Sequence, residues 1–201
     1  MNNREKFDYL VIPLNSESGV LKAIELLRSV RVAEIWDSGF PSDSLSYRRL
    51  VEMAERTGTK FKAVDNSDSF RIGGVLVEIV NPQKGLYRGY GGRDAENNSI
   101  VMKLSYLGTR VLLCGYIEPQ IERRLSRLHE KKIRCDVIKP SGYASSEVFM
   151  ESARPRTVVT SKSAKKFSGV KSVSFKEKRI ILVCSKKGYE IRCPTVIQLK
   201  P

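Results

Sequence analysis

The chain has 201 residues, of which 41% are hydrophobic and 29% charged, as expected for one soluble domain or a domain with an appendage. It carries 36 Lys and Arg against 22 Asp and Glu, a net charge of +14, and its single histidine is His129. One histidine excludes a site built from several imidazoles of this chain. No apolar run is long enough to cross a bilayer, so we expect no membrane insertion, and without a signal peptide we expect a cytoplasmic location.

The first third of the sequence predicts strands that alternate with amphipathic helices. An apolar run at 7–12 predicts a strand ending at Pro13, and apolar residues at helical spacing follow the candidate N-caps Ser16 and Ser18. A short strand is predicted at 33–36. The next helix is predicted from Ser44 to near Gly58, because serine favours the start of a helix and glycine its end.

The remaining sequence is richer in strands. Strands are predicted at 60–64, 69–72, 75–80, 99–104, 110–114, 135–138 and 157–160, and in the tail at 172–175, 180–184 and 189–193. Helices are predicted at 118–132 and 146–153, and His129 is expected to face solvent or end the first of them. Strands, helices and hairpins in this order indicate a layered α/β sandwich and not a simple doubly wound sheet.

Four cysteines occur without any CxxC pair: Cys114, Cys135, Cys184 and Cys193. This spacing disfavours structural zinc, and we expect buried, reduced thiols. Cys184 and Cys193 could face each other across a hairpin, but a reducing compartment disfavours a disulfide. We expect neither a metal nor another cofactor.

The positive charge is concentrated near the C-terminus. Residues 151–201 carry thirteen Lys and Arg against three Glu, a net of +10, whereas residues 1–150 carry a net of +4. A dense cationic surface attracts polyanions by releasing counterions, so nucleic acid is the partner to test; a solubilising surface is the alternative.

A glycine-rich loop and the basic tail are the candidate nucleic-acid-binding segments. Tyrosine and arginine can stack on unpaired bases, and the loop at 85–93 contains both, although an ordinary flexible connection is the alternative. The candidate residues are Tyr87, Arg88, Tyr90, Arg93, Lys162, Lys165, Lys166, Lys171, Lys176, Lys178, Arg179, Lys186 and Lys187.

Blocks of sequence from Asp8 to about Thr160 occur in an order that resembles the metallo-β-lactamase-like domain of the competence protein ComEC family. The blocks are Asp8-Tyr-Leu-Val-Ile12, Ile35-Trp-Asp-Ser-Gly39, Tyr47-Arg-Arg-Leu50, Asn97-Asn-Ser-Ile-Val101, Leu112-Leu-Cys-Gly-Tyr-Ile-Glu118, Asp136-Val-Ile-Lys139 with Ser145, Ser146 and Phe149, and Arg154-Pro-Arg-Thr-Val-Val-Thr-Ser161. Each block is weak alone, and their order and spacing together are specific. The resemblance implies a metallo-β-lactamase-like αββα sandwich and a role in DNA uptake.

The departures from the family pattern fall on its metal ligands. The HxHxDH motif of the family aligns with Leu14, Ser16, Ser18 and Gly19, and Tyr116 replaces the metal-bridging aspartate. The His-His-Gly-Ser segment falls on 142–145, with Tyr143 at a ligand position. Two-metal hydrolysis needs several imidazoles and carboxylates, so the alignment predicts a vestigial site without catalysis.

The resemblance also implies that the fold is incomplete at its N-terminus, because family domains have several strands before the first ligand strand. Either the fold is truncated and rearranged, or another chain supplies the missing strands, or the reading frame starts late. Of these we favour a protein partner or a homodimer that covers the sheet edge. We expect a degenerate metallo-β-lactamase-like domain at 1–161 and a basic, β-rich segment at 162–201, packed on the same domain.

The sequence leads to three functional hypotheses. The favoured one is a non-catalytic protein that binds single- or double-stranded nucleic acid through its phosphates. The second is a metal-dependent hydrolase or nuclease with unrecognised or partner-supplied ligands. The third is a structural or regulatory subunit that binds another protein.

Overall fold

The alternation of apolar strands and amphipathic helices in the first third of the chain produces a parallel three-stranded sheet with two helices. In chain order the elements are β1 (Lys6–Val11), α1 (Glu17–Ser29), β2 (Arg31–Asp37), α2 (Leu45–Thr57) and β3 (Lys60–Ala63). The strands lie in the order β1-β2-β3 and both pairs are parallel, with Leu10 opposite Ile35 and Ile35 opposite Phe61. These are the elements that the hydrophobic spacing predicts, to within one or two residues at most ends.

Both helices begin at a serine cap visible in the sequence, and α2 also ends at a glycine cap. The hydroxyl of Ser16 accepts a hydrogen bond from the amide of Gly19, and that of Ser44 accepts one from Tyr47. Gly58 closes α2 in the left-handed conformation. Because each helix presents one apolar side to the sheet, Val20, Leu27 and Leu50 pack into one buried core with residues of β2.

The computed structural model describes residues 5–89, 92–141, 145–160, 169–174 and 181–192. Within it the chain divides into two compact units. The first contains the residues up to Asp68, with Ile79–Val101 and Gly115–Glu118; the second contains Ser69–Glu78, Met102–Cys114 and the residues from Pro119 onward. The predicted boundary between 161 and 162 stays a prediction.

The second unit is organised around a larger sheet. The remaining elements of the chain are β4 (Ser69–Ile72), β5 (Val75–Asn81), α3 (Asp94–Asn97), β6 (Val101–Tyr106), β7 (Thr109–Leu113), α4 (Pro119–Leu128), α5 (Glu130–Ile133), β8 (Val137–Lys139), α6 (Glu147–Ala153), β9 (Thr157–Thr160), β10 (Lys171–Ser174), β11 (Ile181–Ser185) and β12 (Gly188–Arg192). Of these, α3, the end of β5 and the first residue of β6 belong to the first unit. The order of the seven-stranded sheet is β10-β9-β8-β7-β6-β5-β4, and β11 pairs with β12 as a hairpin. The predicted mixed α/β architecture is confirmed.

Two details of the sequence interpretation were wrong. The single helix predicted at 118–132 is two helices, α4 and α5, because His129 leaves the helical conformation and its carbonyl accepts bonds from the amides of Lys132 and Ile133. The short helix α3 was not predicted. His129 therefore lies at a helix junction, one of the two placements expected for it.

The cysteines follow the expectation of reduced thiols as far as the structure describes them. Cys114 and Cys135 are buried and free, and Cys184 is free and half-buried. Cys184 lies opposite Tyr189 in the β11–β12 hairpin, and Cys193 lies outside the described residues. Burial raises the pKa of the Cys135 thiol to about 12, so this thiol stays protonated at neutral pH.

Candidate functional site

The segment between β1 and α1 carries the residues that align with the HxHxDH motif. Leu14 and Gly19 line a groove in the first unit, and the Ser16 hydroxyl accepts the bond from the Gly19 amide, at 3.3 Å, that caps α1. Ser18 lies in the exposed first turn of α1. Leucine and glycine offer no ligand atom, and Ser16 is engaged in helix capping.

Tyr116 lies on a loop that buried polar side chains hold in place. The Ser99 hydroxyl accepts a hydrogen bond from the Tyr116 amide at 2.8 Å. The Asn97 side chain bonds twice to Glu118, accepting from its amide at 3.2 Å and donating to its carboxylate at 3.1 Å. Since Asn97 and Ser99 are fully buried, they fix the backbone of the loop Gly115–Glu118.

A glycine is required at the start of this loop. Gly115 has φ of +53°, and a Cβ atom there would lie 2.5 Å from the carbonyl oxygen of Ile100 and 2.8 Å from the Ser99 hydroxyl. The Leu112–Glu118 block of the sequence therefore begins in β7 and continues into a tightly packed turn in which position 115 requires glycine.

Leu14, Gly19 and Tyr116 come together around one open groove of about 350 Å³. Its other walls are mostly apolar and come from β1 and α1: Leu10, Val11, Ile12, Pro13, Ala23 and Leu26, with Lys22 as the charged member. Tyr116 is 41% exposed. The alignment thus brings three of its ligand positions to one place, and Tyr143 lies outside the described residues.

The side chains of this groove do not fit a metal centre of the kind that the resemblance implies. Such a centre needs imidazole, carboxylate or thiolate donors, and the groove offers aliphatic side chains, one phenol and one ammonium. Over the described ranges of the chain, no group of three or more His, Cys, Asp and Glu side chains could hold a metal ion.

A buried carboxylate at the end of β2 was not singled out from the sequence. Asp37 accepts hydrogen bonds from the Gly39 amide at 3.0 Å, from the Asn15 amide group at 3.4 Å and from the hydroxyl of Tyr47. Burial, and then the bond to Asp37, raises the pKa of Tyr47 above its usual value, so the phenol remains a donor. An aspartate directly after an apolar strand, in Asp37-Ser38-Gly39, was the signal that could have identified it.

A second buried carboxylate, Glu122, organises the second unit. It accepts a hydrogen bond from the Ser145 hydroxyl at 2.8 Å and one from the Ser146 amide at 2.7 Å. Burial raises the pKa of Glu122, and these two bonds oppose the increase. Because Ser146 is the N-cap of α6, Glu122 connects α4 to the first turn of α6.

The predicted glycine-rich loop is only partly available for base stacking. Tyr87 is 5% exposed, and its amide donates to the Asn98 side chain at 2.7 Å, so its ring is not presented to solvent. Arg88 is exposed, and Arg93 forms an ion pair with Glu118 at 3.5 Å. Tyr90 lies outside the described residues.

The structure describes three of the nine predicted basic residues of the tail. Lys171 lies on β10, and Lys186 and Lys187 form the turn between β11 and β12; all three are exposed. The other six lie outside the described residues: Lys162, Lys165, Lys166, Lys176, Lys178 and Arg179.

A further group of cationic residues lies on α4, on α5 and at the residue after α5, where the sequence interpretation did not place one. We call it the α4–α5 basic surface; it consists of Arg123, Arg124, Arg127, Lys131, Lys132 and Arg134. Glu122 of α4 is buried, and Glu130 is paired with Arg134 at 2.6 Å. The pKa of His129 is lowered, first by its burial and then by Lys132 and Arg124. The sequence signal for this surface is the run of basic residues at 123–134, which the net charge of residues 1–150 as a whole does not reveal.

Comparison with known proteins identifies the fold. No family model and no curated protein matches the sequence. A proposed metal-dependent hydrolase of Parabacteroides distasonis matches at a TM-score of 0.53 and 16% identity, over 88% of this chain and 79% of that one. A mutant of the β-hydroxylase CmlA, an enzyme of Streptomyces venezuelae, matches at 0.51 and 13%, over 80% of this chain. The chain spans 38% of the CmlA chain.

The metallo-β-lactamase-fold protein YhfI of Bacillus subtilis matches at a TM-score of 0.45 and 8% identity, over 76% of this chain and 63% of that one. The chain has a metallo-β-lactamase-like α/β fold, as the resemblance implied. At such low identities the likeness concerns the fold alone. None of the described helices is long and apolar enough to cross a membrane.

Proposed function

We propose that this chain is a non-catalytic protein of the metallo-β-lactamase fold that binds nucleic acid through its phosphates and is related to the DNA-uptake proteins of the ComEC family. The observation that carries the proposal is the α4–α5 basic surface. A cytoplasmic location remains part of the proposal.

Charge and exposure support this assignment of the α4–α5 basic surface. Arg123, Arg124 and Arg127 are exposed on one short helix whose only acid, Glu122, is buried. Guanidinium groups stay charged at all physiological pH values and present a fork of donors that matches phosphate oxygens. Contacts of this kind follow the backbone and do not read sequence. Lys171, Lys186 and Lys187 add exposed cations in the same unit.

The binding test is a salt titration with charge-reversal variants. Labelled single- and double-stranded oligonucleotides are bound to wild type and to the double variant R123E/R127E by fluorescence anisotropy. For wild type, affinity should fall steeply with salt, and the double variant should lower the slope of log K against log salt by about two, roughly one per lost phosphate contact.

The control for that experiment is the double variant R48E/R71E, which changes the net charge equally at two exposed positions outside the surface. It should keep the wild-type slope. A flat response of wild type to salt, or equal weakening in both double variants, would contradict the proposal.

A metal-dependent hydrolase is the second candidate, because the Parabacteroides distasonis neighbour is named as one. Elemental analysis of the purified protein, with a phosphodiesterase assay in added zinc or manganese, separates the two. We expect substoichiometric metal, no turnover and no change of the melting temperature on adding a chelator, since the groove side chains lack metal donors. Stoichiometric metal with turnover would replace the non-catalytic proposal.

A further inference from the structure

A groove between α1 and α2 gathers arginines around an apolar floor. It has a volume of about 180 Å³ and is lined by Leu21, Ile24 and Arg28 of α1 and by Arg49, Glu52, Met53 and Arg56 of α2. The lining residues of each helix are three or four positions apart, so they lie on one face of that helix. These positions are 21, 24 and 28 on α1 and 49, 52, 53 and 56 on α2. We call this feature the α1–α2 groove; it lies entirely within the first unit.

The arginines of the α1–α2 groove are not engaged within the protein. Arg28, Arg49 and Arg56 are exposed, and none has an ion-pair or hydrogen-bond partner in the part of the chain that the structure describes. Elsewhere in the described residues, Arg110 pairs with Asp136 and Arg134 with Glu130. Three unpaired guanidinium groups around one groove create a local excess of positive charge, and among the described residues that line the groove Glu52 is the one acid.

The floor between the arginines is apolar and partly exposed. Leu21 is 49% exposed, although it lies one turn from the buried Ile24, and Met53 is half-buried. A cavity of this size accommodates one or two aliphatic side chains. A partner that fills it would bury Leu21 and desolvate the surrounding charges, which strengthens their interaction with carboxylates.

We propose that the α1–α2 groove docks an acidic, amphipathic segment of a partner protein, with an aliphatic side chain in the groove and carboxylates on Arg28, Arg49 and Arg56. This docking site is distinct from the α4–α5 basic surface and does not depend on nucleic-acid binding. An acidic amphipathic peptide fits better than nucleic acid, because the groove has an apolar floor of Leu21, Ile24 and Met53 that an aliphatic side chain can fill, and a sugar-phosphate backbone has no such group. The net charge of +14 favours encounter with acidic partners.

The test uses a fluorescein-labelled helical peptide with leucines at i, i+3, i+4 and i+7 and glutamates on the flanking positions. A second peptide of the same composition, with its leucines dispersed, controls for charge alone. We expect the amphipathic peptide to bind the full chain more tightly than the dispersed one. The variant R49E should weaken its binding about tenfold, and L21N should weaken it several-fold.

The neighbouring residue supplies the matched control. Arg48 is also exposed on α2 but does not line the groove, so R48E should stay within about twofold of wild type. The double variant R123E/R127E should also keep peptide binding, which separates failure of this proposal from failure of the nucleic-acid proposal. Circular dichroism verifies that each variant is folded.

Three results would overturn the proposal: no binding of the amphipathic peptide, equal binding of both peptides, or equal weakening by R48E and R49E. A fourth is displacement of the peptide by a single-stranded oligonucleotide whose own binding is lost in R49E, which would make the groove a nucleic-acid surface.

Discussion

At the residue scale, two buried carboxylates, Asp37 and Glu122, are held by neutral donors, whereas a third, Asp136, is paired with Arg110. Asp37 receives bonds from an amide, a phenol and a carboxamide, and Glu122 from a hydroxyl and an amide. Neither has a described ion pair. A local signal exists for Asp37, which ends an apolar strand, but not for Glu122, because its partner Ser145 is 23 positions away along the chain.

The raised pKa of Glu122 predicts that the stability of the folded protein depends on pH. Its folded-state pKa is raised, so the unfolded chain loses this proton at a lower pH than the folded chain, and stability falls as pH rises from about 4.5 through the folded-state pKa. The variant E122Q cannot titrate there. Urea unfolding across this range should show that the stability of wild type relative to E122Q decreases with pH. E151Q, at an exposed position of α6, should keep the wild-type pH profile; parallel profiles of wild type and E122Q would contradict the assignment.

At the scale of elements, the sequence predicts what local rules determine and misses what tertiary contacts determine. The helix from Ser44 to Gly58 was predicted with both caps, because capping chemistry is local. The break at His129 was missed, because Ile121, Leu125 and Leu128 continue the helical spacing up to it. The loop Gly115–Glu118 was recognised only by resemblance, since its conformation depends on Asn97 and Ser99.

The loop Gly115–Glu118 gives a prediction for stability. The variant G115A places a methyl group against the Ile100 carbonyl oxygen and the Ser99 hydroxyl and requires an alanine at positive φ. The left-handed conformation alone costs roughly 1–3 kcal/mol, and the backbone clash adds to it. G58A has a similar φ of +70° with no atom within 4 Å of the new methyl group, so it carries only the conformational cost. Equal urea midpoints for the two variants would show that the clash is relieved.

For the whole molecule, the sequence was sufficient for the fold class but not for the location of the charged surfaces. The alternation of elements and the ordered blocks led to a metallo-β-lactamase-like α/β fold, which the structure and its neighbours share. The charge count over large segments directed attention to the tail, although residues 123–134 carry six Lys and Arg against one Glu. The arginines of the α1–α2 groove come together only when the two helices pack. The sequence does not show that Glu122 is buried while the arginines next to it are exposed, because this difference depends on tertiary packing.

Association of the chain with a partner or with itself stays a prediction at this scale. β1 lies at one end of the order β1-β2-β3 and pairs only with β2 in the described sheet, and Phe7 and Tyr9 on it are exposed. An uncovered strand edge with exposed aromatic side chains favours pairing with another strand.

In the loop Gly115–Glu118, the bonds to Asn97 and Ser99 involve the backbone amide at position 116 and not its side chain. The bonds that hold it use the amide of Tyr116, the amide and carboxylate of Glu118, and the side chains of Asn97 and Ser99. A cysteine at 116 would keep every one of those bonds and would lie at an exposed position that lines the groove. Position 116 is therefore a suitable attachment point for an environment-sensitive fluorophore, and a screen for compounds that enter the groove could begin there without knowledge of the natural ligand.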